Sequence, residues 1–295
     1  KEQELFDTIF AKYNRTRKPQ FQIRTRILEE NGKRYVEKAA LTEASGAHIG
    51  SMEEKHEKLS KVNPEVRVLE PHFSEDKQAV RFEFLTGKTL AEELGGQIRG
   101  KKAPVEAIQA AMEQVFSKAA LRPESFYVTP EFLEVFGRDP AEDSQDSAPG
   151  ELEQRLSALS DVSYAVSNID GLFENLMVSG GKLYCLDYEW VFDFPVPAGF
   201  VRYRNLVYFY YKYEGLMDYE NAADFLKEFG IGEELSGLYA AMEESFQSWV
   251  HGDGTQGYMG NYKQRLVTLE ELKTQEKELD QARERINQLQ EEVEE

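Results

Sequence analysis

The segment Ser167–Trp190, SNIDGLFENLMVSGGKLYCLDYEW, constrains this chain more than any other. Asp170, Asn175 and Asp187 punctuate an otherwise apolar, strand-forming run. A carboxylate beside buried sheet is costly unless a cation or hydrogen-bond donors meet it. The pattern reads as a loop, a short strand ENLMV, a turn SGGK and a second strand LYCLDY. Hard divalent cations such as Mg²⁺ take oxygen ligands of this kind. Phosphoryl transfer from a nucleotide asks for such a metal, a carboxylate to receive the acceptor's proton, and a cation on the phosphates. Taken singly, each residue has a plain alternative. Asp170 suits a turn cap, Asn175 a loop backbone partner and Asp187 an ordinary surface carboxylate.

The first 85 residues read as strand, strand, helix, strand, strand. FQIRTRIL (21–28) alternates apolar and polar residues, Asn31-Gly32 signals a hairpin, and RYVEKAAL (34–41) returns with Lys38 on it. Ile49, Met52, His56, Leu59 and Val62 recur at helical spacing over 43–62, and Pro64 ends that helix. VRVLEPHF (66–73) and AVRFEFL (79–85) read as two further strands. Thr89 caps a helix at TLAEEL, and 104–121 is helical from Pro104. The acidic run at 139–153 reads as an exposed loop, and the segments after Trp190 as helices.

Composition narrows the function classes. A net charge of −19 over 295 residues excludes nucleic-acid binding by bulk electrostatics. One cysteine, Cys185, excludes a disulfide framework, and His48, His56, His72 and His251 have no zinc spacing. No run is long and apolar enough for a transmembrane helix, and no secretory signal opens the chain. The starting residue is not Met, which suggests a piece of a longer protein. Leu272, Leu279, Ile286 and Val293 fall every seven residues, with Ala282 and Leu289 at the offset position. That predicts a coiled coil over 261–295 and self-association through it; a single solvated helix is the alternative.

The order Asp170-x4-Asn175, apolar strand, Gly180-Gly181 turn, apolar strand, Asp187-Tyr188-Glu189 resembles the protein-kinase-like superfamily. Within it the chain is similar to small-molecule and sugar kinases such as aminoglycoside and choline phosphotransferases. The resemblance covers about residues 20–260. It implies an α+β, two-lobed protein-kinase-like fold, a small antiparallel-sheet lobe over 1–85 and a larger helical lobe over 86–260, followed by the coiled coil. It implies ATP and Mg²⁺ as cofactors, Asp170 as catalytic base, and Asn175 and Asp187 as metal ligands. Lys38 matches the strand lysine that holds the phosphates. Glu53 is its expected brace on the following helix, with Glu54 and Glu57 as competitors. Glu83–Leu85 corresponds to the adenine-binding hinge. Two features depart from the family. Asn168 stands where a His is usual, and no glycine-rich loop precedes Gly32; Arg15, Arg17, Lys18, Arg24 and Arg26 make that region basic instead. A narrower resemblance, to the kinase part of bifunctional kinase–methyltransferases that terminate bacterial O-antigen chains, implies a glycan acceptor. It also implies a glycosyltransferase or methyltransferase partner or fused domain, and a cytoplasmic location peripheral to the inner membrane. A pseudokinase scaffold organised by the coiled coil is the competing reading.

Overall fold

The computed structural model describes residues 7–100, 103–138 and 150–252. The chain opens with β1 (Asp7–Tyr13), β2 (Ile23–Glu30) and β3 (Lys33–Ala40). A short helix α1 (Gly46–Gly50) and then α2 (Met52–Val62) follow. Next come β4 (Val66–Val68), β5 (His72–Phe73), β6 (Ala79–Glu83) and β7 (Lys88–Thr89). Helices α3 (Leu90–Arg99) and α4 (Pro104–Phe116) lead to β8 (Leu121–Ser125), α5 (Pro130–Phe136) and α6 (Glu151–Ser157). Short strands β9 (Val162–Tyr164) and β10 (Ser167–Asn168) precede the hairpin β11 (Leu176–Ser179) and β12 (Lys182–Cys185). The described part closes with β13 (Val191–Phe192), α7 (Ala198–Tyr213), α8 (Ala222–Lys227) and α9 (Glu233–His251). The coiled coil expected over 261–295 lies outside the described residues.

The first sheet has the order β1-β2-β3-β6-β5, every described pairing antiparallel. Asn31 and Gly32 both take positive φ in the β2–β3 turn, as the Asn-Gly signal requires. Period-two alternation sorts this sheet's charges onto two faces. Lys38 pairs with Thr25 and Val80, and shares its face with Val36, Ala40, Ile23 and Phe82. Glu37 points the other way and collects Arg24, Arg26 and Arg81. Arg24 and Arg26 therefore stand on the far face from Lys38 and take no part in its site.

A second sheet, β4-β12-β11-β7, ties the segment after α2 to the β11–β12 hairpin, β4 running parallel to β12. The single expected strand over 66–73 is thus two strands in different sheets, broken at Pro71. The chain leaves β6 through residues 84–87 and reaches α3 through Thr89. There the Thr89 hydroxyl accepts from the Glu92 N–H, and the Glu92 carboxylate accepts from the Thr89 N–H. Gly87 allows close approach in this connection, because a Cβ there would sit 2.5 Å from the Val178 carbonyl oxygen. The helix predicted over 104–121 stops at Phe116, and the chain turns back as β8.

The larger part packs α5, α7 and α9 around buried aromatic rings. Phe136, fully buried, meets Phe132, Phe192, Phe200 and Phe246 at centroid distances of 5.2–6.0 Å. Phe21, Trp190, Trp249 and Phe246 continue the cluster toward the first sheet. That packing clamps the β1–β2 connection against α9, and the Lys18 N–H also donates to the Val250 carbonyl. β1 was not expected from the sequence. It is an exposed edge strand whose Ile9, Phe10 and Tyr13 lie in water, so neither burial nor alternation marks it.

Candidate active site

Two anchors set the loop that carries Asp170. Asn205 of α7, fully buried, accepts from the Phe173 N–H at 2.9 Å and donates to the Gly171 carbonyl at 3.1 Å. Its neighbour Arg204 donates to the Ile169 carbonyl and to Glu243, and its Nη1 lies 4.0 Å from Asp170 Oδ1. One helical turn thus holds the loop at several points.

Asn168 joins this loop to the hairpin. A backbone N–H can only donate, so the Asp170 N–H fixes Asn168 Oδ1 as acceptor at 3.0 Å. The amide nitrogen is then turned to the Asp187 carbonyl at 3.2 Å and to Cys185 Sγ at 3.3 Å. Asn175 spends its amide nitrogen on the Asp170 carbonyl at 2.9 Å, which leaves its oxygen as the end suited to a cation. Its backbone carbonyl accepts from the Leu186 N–H at 2.8 Å, so Asn175 and Asp187 flank the same end of the β11–β12 hairpin. Tyr188 Oη donates to the Leu69 carbonyl at 2.8 Å and fixes the hairpin against the segment after β4.

Lys38 enters from the first sheet. Its ammonium is 2.6 Å from Asp187 Oδ1 and 2.7 Å from Glu189 Oε1. Burial opposes its charge, but the two carboxylates outweigh burial and hold its pKa above the ordinary value. The Asp170 carboxyl is pushed up to about 7, first by burial and then by the Asp187 anion, against the pull of Arg204. A carboxyl poised there exchanges protons readily near neutral pH.

Glu53, the expected brace of Lys38, is not at this site. It is exposed and pairs with Lys77 at 2.9 Å; Glu54 pairs with Lys58 and Glu57 is exposed. Helical spacing gives the reason. Met52 and Leu59 are buried, and at about 3.6 residues per turn Lys55 and His56 share their face while Glu53, Glu54 and Glu57 turn outward. Glu189 takes the place instead. Its second oxygen receives Arg17 at 2.7 Å, and its carbonyl receives Lys55 at 2.5 Å. Of the basic residues in the region without glycines, Arg17 alone is described in an ion pair here, its guanidinium also resting 5.4 Å over the Trp190 ring. Glu83 ends β6, exposed, and Leu85 lies half-buried against the core, both in the connection between the sheets.

The donor set suits Mg²⁺: one amide oxygen and one carboxylate at a partly exposed hairpin end. Among the described residues no three His, Cys, Asp or Glu side chains form a self-contained metal cage. Mg²⁺ held beside phosphates does not need one, because phosphates and water complete its shell.

No protein-family model matches the sequence, and no curated protein matches it. Solved structures do. Choline kinase LicA from Streptococcus pneumoniae aligns at 15% identity and TM-score 0.49, covering 83% of this chain and 88% of that one. A thermostable mutant of the aminoglycoside phosphotransferase APH(4)-Ia aligns at 13% identity and TM-score 0.47, covering 88% of this chain and 92% of that one. Macrolide 2'-phosphotransferase MphH from Brachybacterium faecium aligns at 13% identity and TM-score 0.40, covering 85% and 87%. These neighbours are the small-molecule kinase branch of protein-kinase-like structures. They are 13–15% identical to this chain, with TM-scores below 0.5.

Proposed function

We propose that this protein is an ATP- and Mg²⁺-dependent phosphotransferase acting on a hydroxyl of a non-protein acceptor. The observation that carries the reading is the meeting of Lys38 with Asp187 at 2.6 Å, while Asn168 ties Asp187 to Asp170. Lys38 comes from 149 positions away to meet Asp187, beside the loop of Asp170, which gathers the cation and carboxylates that phosphoryl transfer uses.

Asp170 receives the proton of the acceptor hydroxyl as its oxygen bonds to the γ-phosphorus and the bond to ADP breaks. Asn175 and Asp187 would hold Mg²⁺, which would supply neutralisation of phosphate charge. Lys38, which meets Asp187 at 2.6 Å, would hold the phosphates. Glu83–Leu85 borders the adenine. The terminal sugar of a bacterial surface polysaccharide is the narrower acceptor proposed, with self-association and a glycosyltransferase or methyltransferase partner. Sequence resemblance alone supports those finer points.

The test is thermal stabilisation by ATP with and without Mg²⁺, then turnover on a panel of sugars, glycans and amines. A Mg²⁺-dependent rise in melting temperature, absent in Asp187→Ala, is expected. Turnover should vanish in Asp170→Asn. Nucleotide binding without turnover on any acceptor would favour the scaffold reading; no binding at all would remove the kinase reading.

A further inference from the structure

The kinase reading assigns roles to Lys38, Asp170, Asn175 and Asp187, and leaves the most heavily used charge in the site without one. Glu189 is 3% exposed. Its Oε1 accepts from Lys38 at 2.7 Å and its Oε2 from Arg17 at 2.7 Å. Its backbone N–H donates to Asp187 Oδ1 at 3.3 Å, and its carbonyl accepts from Lys55 at 2.5 Å. His48 Nε2 stands 3.9 Å from the same carboxylate. A buried carboxylate persists only where cations compensate its lost hydration, and two do so here by direct contact. Glu189 is also two residues from Asp187, in the connection that follows β12.

We infer that Glu189 is the positioning residue that holds Lys38 for phosphate binding, so that the brace of the lysine and the carboxylate ligand of the metal are one continuous segment. The inference rests on the kinase reading. Helix α2 contributes a cation, Lys55, where a carboxylate was expected; Lys55 meets the Glu189 carbonyl while Lys38 meets the Glu189 carboxylate. When Lys38 leaves Asp187 for the phosphates, Glu189 keeps its ammonium in place. Without Glu189, Lys38 has Asp187 as its remaining carboxylate partner and competes there with Mg²⁺.

The consequence is measurable as a change in metal demand. Glu189→Gln should lower kcat about 10–100-fold, the usual cost of losing a group that orients a ligand. It should raise the Mg²⁺ concentration at half-maximal rate about ten-fold for the same reason, with a smaller change in KM for ATP. Glu189→Asp keeps the charge, shortens its reach, and should fall between Gln and wild type in both readouts. Glu53→Ala should match wild type. Melting curves verify folding; if Glu189→Gln does not fold, Glu189→Asp decides alone. Unchanged kcat and Mg²⁺ demand in the folded Glu189 variants, with an active wild type, overturn the inference and spare the kinase reading. A wild type without Mg²⁺-dependent ATP binding overturns both.

Discussion

Replacing Asp170 by Asn should remove activity and yet stabilise the metal-free protein at alkaline pH. The Asp170 carboxyl is pushed from its ordinary value of 3.8 up to about 7, by burial and by the Asp187 anion. For an acid with a raised pKa the folded state binds the proton more tightly than the unfolded chain. Stability is therefore unaffected by this group below about pH 4, falls as pH rises from about 4 to 7, and stays reduced above that. Three pH units at about 1.4 kcal/mol each set an upper bound of about 4 kcal/mol. Relaxation and water entry reduce that to about 1–3 kcal/mol, or roughly 4–8 °C in melting temperature for a 2 kcal/mol change in a chain of this size.

Asn is nearly isosteric with Asp and carries no charge. Arg204 keeps Glu243, 2.7 Å away, so the substitution leaves no orphaned cation. The assay is thermal or urea unfolding of wild type and Asp170→Asn with a chelator present, from pH 4 to pH 8. The two curves should meet near pH 4 and separate steadily until pH 7, the variant above. Mg²⁺ with ATP should narrow the gap, because the metal cancels the Asp187 charge that raises the Asp170 pKa. Equal stability at pH 8, or a gap of the same size at pH 4, would show that Asp170 carries no electrostatic strain and would refute its placement in a desolvated, anion-rich site.

Asn205→Ala leaves the buried Phe173 N–H and Gly171 carbonyl without their side-chain partner, and should cost about 2–3 kcal/mol in urea unfolding. Its turnover should drop as well, since the loop bearing Asp170 loses an anchor. Asn168→Asp keeps the acceptor for the Asp170 N–H but turns an oxygen toward the Asp187 carbonyl. About 10–100-fold lower turnover is expected, with ATP-induced stabilisation largely kept; unchanged kinetics would show that Asn168 does not join loop to hairpin.

The meeting of the candidate site residues was legible in the sequence and their bracing less so, for reasons particular residues show. Strand alternation and the Asn-Gly turn located β2, β3 and Lys38, because Ile23 and Ile27 stand on one face of β2 and Arg24 and Arg26 on the other. The loop and hairpin were readable because Asp170, Asn175 and Asp187 are bound to local register: Asn175 meets Leu186 across the hairpin, as the glycine turn dictates. Glu53 failed as a brace because a carboxylate was sought on α2 by type rather than by face. The stripe of Met52 and Leu59 already turned Glu53 outward and placed Lys55 within. Nothing local to Asp187-Tyr188-Glu189 marks Glu189 as a brace, since its partners Arg17 and Lys38 stand more than 150 residues away in sequence. Asn168 departed from the expected His, yet the geometry asks only for one acceptor toward the Asp170 N–H and one donor toward the Asp187 carbonyl. A side-chain amide supplies both from one short, planar group. The departure therefore keeps the join between the Asp170 loop and the Asp187 hairpin, and it moves the question of activity from Asn168 to whether Lys38 can exchange Asp187 for a phosphate.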